Sequence, residues 1–291
     1  MPLESHPGRP TPLGPLTVWR ALPAHGRRLI GPWCFLDRYG PLSFTDDKPM
    51  DVAPHPHIGI QTVSWLLEGE VIHHDTLGCE GLVRAGGVNV MTAGRGIAHA
   101  EETPKGNSGR LNGVQLWVAL PEAHRQVTPA FQHFPEVPHL DAHGAIVRQF
   151  LGGDSPAATF SDITGVDAAV HAGETWSFPL TAAREHGLFV SSGDAELEGQ
   201  PLDVNTLYYL DPGRTELSVK SRDGVRLLLL GGTPFGEPVL MWWNFVARTP
   251  GEIAAARADW EDGRFGEVTA YRGPRLHAPP LQRLVPPNPA S

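Results

Sequence analysis

This 291-residue chain has few cysteines, no excess of basic charge and no long apolar run, and each absence excludes something. Its only thiols are Cys34 and Cys79. Two isolated cysteines make neither a disulfide framework nor a zinc-finger pattern, and they fit a reducing cytoplasm. Lys and Arg total 23 against 32 Asp and Glu, a formal net charge of −9. The broad basic footprint of a nucleic-acid-binding protein is therefore missing. No stretch approaches the length of apolar sequence that a membrane-spanning helix needs. The opening "MPLESHPGRPTPLG" has no apolar core of signal-peptide length. The expectation is a cytoplasmic protein with no direct nucleic-acid partner and no membrane segment.

What the chain has in quantity is glycine (33) and proline (29), with only 19% charged residues. That composition suggests a turn-rich globular fold rather than a bundle of long helices. A chain of this length can bury about 75% of the surface exposed when unfolded, so it needs no covalent staples. From Leu16 to about Leu120 the text reads as short strands broken by turns. "GIQTVSWLL" is apolar and β-branched and runs into "EGE", which reads as a turn; "EVIHHDT" alternates after it. "LVRAGGVNVM", "TAGRG" and "LNGVQLWVAL" continue the pattern. A second half, from Pro138, repeats the style in "GAIVRQFLGG", "GLFVSSGDAELEG", "LDVNTLYYLDPG" and "GVRLLLLGG". The reading is all-β, with two β-barrel units of similar plan: residues 1–137 and residues 138–291. One helix is predicted near 250–262. Thr249 would be its N-cap, Pro250 its first residue and Glu252 the partner of a capping box, with Gly263 after its end. The Pro-rich "RLVPPNPAS" reads as a disordered tail.

The chemistry-bearing residues form two pairs. In "PHPH", His55 and His57 are two apart, so on a strand they share a face. In "GIAHAEE", His99 and Glu101 repeat that spacing. If the two stretches lie side by side, three imidazoles and one carboxylate converge. That donor set suits Fe, Ni, Cu or Zn, and on an octahedral ion it leaves two positions open. One such pair alone is weak evidence, because most are surface or structural. His73 and His74 follow "EGE" on alternating faces, so they cannot both face the interior; they read as surface or packing residues, with the alternative that one sits near the pocket. His124, His133, His139 and His143 fall in the connection between the halves and read as inert. So does Cys79, which has only Arg84 near it in sequence to lower its pKa. His171 and His186 are isolated, so no second metal is expected. Arg95 is either a support for His99 or solvated, and Trp242-Trp243 reads as packing.

"PHPHIGIQTVSWLLEGEVIHHDTLG" followed by "GGVNVMTAGRGIAHAEETP" resembles the pirin family of the cupin superfamily. The upstream "VWRALPAHGRRLIGPWCFLDRYGP" and the downstream "LLLLGGTPFGEPVLMWWNFVARTPGEIAAARADWEDGRFG" resemble the family's terminal blocks. The resemblance spans Leu16 to Gly266. It implies a bicupin of two face-to-face antiparallel barrels of jelly-roll type with a C-terminal helix. It implies one divalent transition metal in the first barrel, held by His55, His57, His99 and Glu101. Fe(II) is the ion the family points to, although imidazole and carboxylate also accept Zn, Ni, Cu, Mn or Co. It implies a quercetin (flavonol) 2,3-dioxygenase-type oxidoreductase, with a flavonol and dioxygen as partners and Glu101 as catalytic base, in a chain expected to be monomeric. The rival reading is a non-catalytic, metal-dependent regulatory protein that uses the ion as a switch toward a protein partner. There is one departure. Cupins often carry Glu four residues after the second histidine, where this chain has Gln61. Without that carboxylate, Glu101 is the obvious remaining base.

Overall fold

The computed structural model describes residues 3–14, 16–45, 50–142 and 144–285. The expectations on His143 and on the end of the Pro-rich tail lie outside them. Strands dominate, and the helix Pro250–Glu261 is the one α-helix among the described residues. The chain divides into two compact units. One holds 1–11, 18–38 and 136–235; the other holds 12–17, 39–135 and 236–291.

The first unit is built on a seven-stranded sheet in the order Glu4–Pro7, Thr206–Leu210, Glu185–Gly193, Val225–Gly232, Ile163–Val170, Ala145–Leu151 and His139–Ala142. A four-stranded sheet, Thr175–Pro179, Glu216–Lys220, Ala195–Leu197 and Gln200–Leu202, accompanies it. Alternate residues of both sheets point inward. Trp176, Leu217 and Val219 of the smaller sheet share one core with Val166, Leu188, Tyr208 and Leu227 of the larger. Period-2 burial is the pattern of sheets that face each other across a core. His186 lies in this unit, 2% exposed, in register with Leu210 and Gly231.

The second unit is organised by one long strand, Ile60–Asp75. Its first part pairs with Val88–Thr92 on one side and with Arg110–Ala119 on the other. Its last six residues pair instead with Glu80–Arg84 and Ile97–Glu102. The switch between partner sets occurs at "EGE". The expected turn is a bend within a continuous strand. Gly69 sits there at φ +88°, and a Cβ at that position would lie 2.0 Å from the Arg110 carbonyl oxygen. Only glycine tolerates both the conformation and the approach. Opposite it, the register slips between Asn112 and Gly113, a bulge of the kind that turns a strand from one sheet into another.

The helix Pro250–Glu261 begins as its sequence predicts. The Thr249 side chain accepts from the Glu252 N–H, and the Glu252 carboxylate accepts from the N–H groups of Thr249 and Arg248. Its buried residues, Ile253, Ala256 and Trp260, pack with Phe245 and Ala247 against Ala98 and Ala100. Those two alanines alternate with His99 and Glu101. The helix thus braces the outer face of the strand whose inner face carries the candidate ligands.

Candidate metal centre

The strands Asp51–His57 and Ile97–Glu102 are antiparallel neighbours, with His55 directly opposite His99 and His57 opposite Ile97. The i,i+2 rule puts His55 and His57 on one face, and the pairing delivers His99 to the same place. The ring centroids lie 5.0 Å (His55–His57), 4.3 Å (His55–His99) and 5.0 Å (His57–His99) apart. One ring nitrogen from each of the three falls within 4.8 Å of the others. All three are buried, at 7%, 1% and 1% exposure.

Burial favours the neutral form of each imidazole. It lowers His55 to about 4, and pushes His57 and His99 well below the ordinary histidine value, with mutual repulsion among the rings adding to it. Neutral imidazole is the form that binds a metal. The second nitrogens fix which atom faces inward. Nδ1 of His55 lies 2.9 Å from the Ala53 carbonyl oxygen, and Nδ1 of His57 lies 3.1 Å from that of Asn244. A carbonyl only accepts, so both Nδ1 atoms carry the proton and both Nε2 atoms present lone pairs. His99 Nε2 is a buried polar atom with no hydrogen-bond partner. Three buried imidazoles with one nitrogen each within 4.8 Å of the others, and an unpartnered Nε2 on His99, fit a first-row metal ion.

Asn244 is brought to His57 by the hairpin Leu240–Trp242 and Phe245–Ala247. Ile58 bridges to Phe245, and the Val246 N–H donates to the Ile58 carbonyl at 3.3 Å. Trp243 takes φ +52° at the hairpin's tip, a region that costs a non-glycine residue about 1–3 kcal/mol. Its ring packs edge-on against Phe245, 5.5 Å away, and Trp242 lies 6.3 Å from Phe245, so the tryptophan pair is packing, as expected.

Glu101 is also buried, 7% exposed, and register places it opposite His73 and Val52. Its Oε1 accepts from Ser64 Oγ at 3.1 Å. Burial raises its pKa, against the hydrogen bond from Ser64. It stands on the same strand face as His99 but outside the tight group of three nitrogens. Gln61 is fully buried and donates from Nε2 to Thr92 Oγ1 at 3.0 Å. Arg95 reaches Thr128 Oγ1 at 3.0 Å rather than His99. His133 faces Asn89 Oδ1 at 2.7 Å. Burial and Asp75 together raise the Cys79 thiol, which agrees with the reading of an unreactive cysteine.

His73 is a packing residue, not a surface one, and it lies beside the cluster. It is 3% exposed and its Nδ1 lies 3.2 Å from His99 Nδ1. Its ring stacks on Phe131 at 4.2 Å with 2° between the planes. Its Nε2 lies 3.2 Å from Asp75 Oδ2. His74 points to the other face, as alternation requires, but it too is buried, between Glu80 and Glu102 at 3.5 and 3.8 Å. His73 and Asp75 obey the spacing rule that identified His55 and His57, and the pairing of their strand with Ile97–Glu102 brings them to His99.

A two-unit antiparallel β fold with a buried three-histidine cluster in one unit defines a cupin-type protein with a site able to hold a metal ion. The chain belongs to the pirin family: residues 16–118 match Pirin, and residues 165–266 match the Pirin C-terminal cupin domain. A Pseudomonas aeruginosa protein, PA1205, named provisionally as a quercetin 2,3-dioxygenase, is 43% identical over 274 residues, covering 92% of this chain and 87% of that one. A pirin-like protein of Caulobacter vibrioides is 36% identical over 264 residues, 87% of this chain and 91% of that one. The crystal structure of a quercetin 2,3-dioxygenase from Acinetobacter baumannii superimposes with a TM-score of 0.93 at 38% identity, covering 98% of this chain and 97% of that one. The Escherichia coli pirin YhhW, solved in complex with nickel(II), has a TM-score of 0.65 at 19% identity and covers 80% of this chain, a likeness of fold alone. No helix among the described residues is long and apolar enough to cross a membrane.

Proposed function

We propose that this chain is a mononuclear metal oxidoreductase of the quercetin 2,3-dioxygenase type, acting on a flavonol or similar oxygen-rich ring together with dioxygen. The observation that carries the reading is the convergence of one ring nitrogen from each of His55, His57 and His99, with Nδ1 of His55 and His57 engaged by backbone carbonyls. Glu101 is proposed as the fourth ligand and as the base, and Fe(II) as the ion. When bound, such an ion supplies Lewis-acid polarisation and open positions for oxygen ligands. The protein's part is to bind, orient and move a proton. His55 and His57 are held in register by backbone carbonyls. Trp117 lies edge-on to His57 at 5.1 Å and covers that ring from one side. Glu101, its basicity raised by burial, would take the proton of a flavonol hydroxyl on a carboxylate oxygen, with Ser64 Oγ holding the other part of the group in place.

A second reading has its own supporting observation. None of the four proposed ligands is more than 7% exposed, and a closed site favours a metal that shapes a protein surface for a partner instead of turning over substrate. The test is oxygen uptake and product formation from quercetin by the purified chain loaded with Fe(II). Turnover that depends on His57 is expected. Wild type no faster than His57→Ala would overturn the enzymatic reading and favour the binding one.

A further inference from the structure

His99 differs from the other two histidines of the cluster. Its Nδ1 faces another imidazole, which can either donate or accept, so a carbonyl does not settle its proton. The rest of the chain of contacts does. Asp75 Oδ1 accepts the backbone N–H groups of Leu77 at 2.8 Å and Cys79 at 3.0 Å, which leaves Oδ2 for His73 Nε2 at 3.2 Å. A carboxylate only accepts, so His73 carries its proton on Nε2. In its neutral form His73 then offers a lone pair at Nδ1, and across the 3.2 Å contact the shared proton belongs to His99. His99 with a proton on Nδ1 has its lone pair on Nε2, the buried atom without a partner, free for the ion that the three-histidine cluster would hold.

We propose that Asp75 and His73 are positioning residues that lock His99 in the tautomer able to bind metal. This rests on the reading of the three-histidine cluster as a metal site. Asp75 sets the direction of the proton chain from two hydrogen bonds away, and Phe131, stacked on His73, keeps the relay ring in plane. Outer partners that orient a ligating histidine are a general feature of metal sites. Here the partner is a second histidine, whose own tautomer must be fixed before it can fix anything else.

The geometry makes a distinctive demand of Asp75→Asn. The turn's two N–H groups keep the carbonyl oxygen of the new side chain where Oδ1 was, so its NH2 must face His73. An NH2 donates. His73 then accepts on Nε2, carries its proton on Nδ1, and drives the His99 proton to Nε2. The substitution leaves the turn, the ring stack and the cluster in place and inverts one proton chain. His73→Phe is the companion variant. It keeps the stack on Phe131 and merely deletes the acceptor, so His99 loses its support without being forced into the wrong tautomer.

Two measurements on full-length, metal-free protein and its variants test this. Long-range proton–nitrogen correlation spectra of histidine-labelled protein read the tautomer with no metal present, the His99 signals being assigned by their loss in His99→Ala. Titration with Co(II) reads affinity. The expected result is Nδ1–H at His99 in wild type and Nε2–H in Asp75→Asn, with Co(II) affinity falling about 10- to 100-fold. Asp75→Asn should be hit at least as hard as His73→Phe, an order that a purely structural role would reverse. Wild-type Co(II) binding with an unchanged His99 tautomer and unchanged affinity in Asp75→Asn would overturn the lock while leaving the metal site standing. A tautomer that flips in a protein whose wild type does not bind Co(II) would uphold the lock and overturn the metal reading.

Discussion

Replacing Trp260 with alanine should loosen the His99 strand while leaving the metal ligands chemically intact. Trp260 is 1% exposed and shares a cluster with Ala98 and Ala100 on the outer face of that strand. Its ring meets Phe265 edge-on at 5.9 Å, the Arg275 guanidinium lies 4.5 Å above it, and Nε1–H donates to the Leu276 carbonyl at 2.8 Å. Emptying a filled core site of this size costs about 3–5 kcal/mol. The cation–π contact and the hydrogen bond are each worth about 1 kcal/mol and overlap with that figure. A loss of about 4 kcal/mol is expected in the free energy that holds helix and strand together. At about 1.4 kcal/mol per factor of ten, local opening of the strand rises about a thousandfold. Hydrogen exchange followed by mass spectrometry on a peptide spanning 97–102 reads this directly. Metal affinity should change much less. If strand opening in the wild type costs about 5 kcal/mol or more, the closed form stays dominant, and affinity scales only with its fraction. Protection of 97–102 within tenfold of wild type would refute the claim that the helix braces this strand. A collapse of metal affinity without faster exchange would refute the separation of bracing from ligation.

Two further outcomes are expected, one beside the metal centre and one in the other unit. Gly59 takes φ +71° beside the Val246 carbonyl, and an added Cβ would lie 2.2 Å from that oxygen. Gly59→Ala should destabilise the chain by about 1–3 kcal/mol in urea unfolding and weaken Co(II) binding, because Val246 is two residues from the carbonyl that orients His57; an unchanged midpoint and affinity would contradict this. His186 is buried, and burial lowers it to about 4. A histidine depressed in the folded state stabilises fully above its unfolded value near 6.5, and that contribution drains away as pH falls toward 4. Between about pH 7.5 and about pH 4.5 wild type should lose up to about 3 kcal/mol more stability than His186→Gln. Parallel loss in the two proteins would show that His186 does not titrate against folding.

What the sequence made legible was whatever obeys a local period. Two residues along a strand share a face, so His55 with His57 and His99 with Glu101 pair from sequence alone, and the strand register brings three imidazoles together. The helix start was legible because Thr249, Pro250 and Glu252 each act within one turn. The place of His73 beside His99 was not legible because it depends on a long-range pairing with Ile97–Glu102 that nothing in "EVIHHDT" reveals. Gly69 reads as a turn, but its positive φ bends the strand without stopping it, and nothing within the "EGE" triplet reveals the Arg110 carbonyl that sits against it. The "HHD" run did hold a usable signal, since His73 and Asp75 are two apart. Asn244 held none. Its contribution is a backbone carbonyl delivered from 187 residues away, and no side-chain pattern encodes that.

The central claim is that His55, His57 and His99 form one metal centre. Elemental analysis of the purified chain beside a His55→Ala/His99→Ala double variant, after equilibration of both with the same Co(II) excess and removal of free ion, tests it most directly. The account predicts about one equivalent retained per wild-type chain, from a single cluster of three neutral imidazoles, and almost none in the variant. Equal metal content in the two proteins, with both still folded, would contradict it.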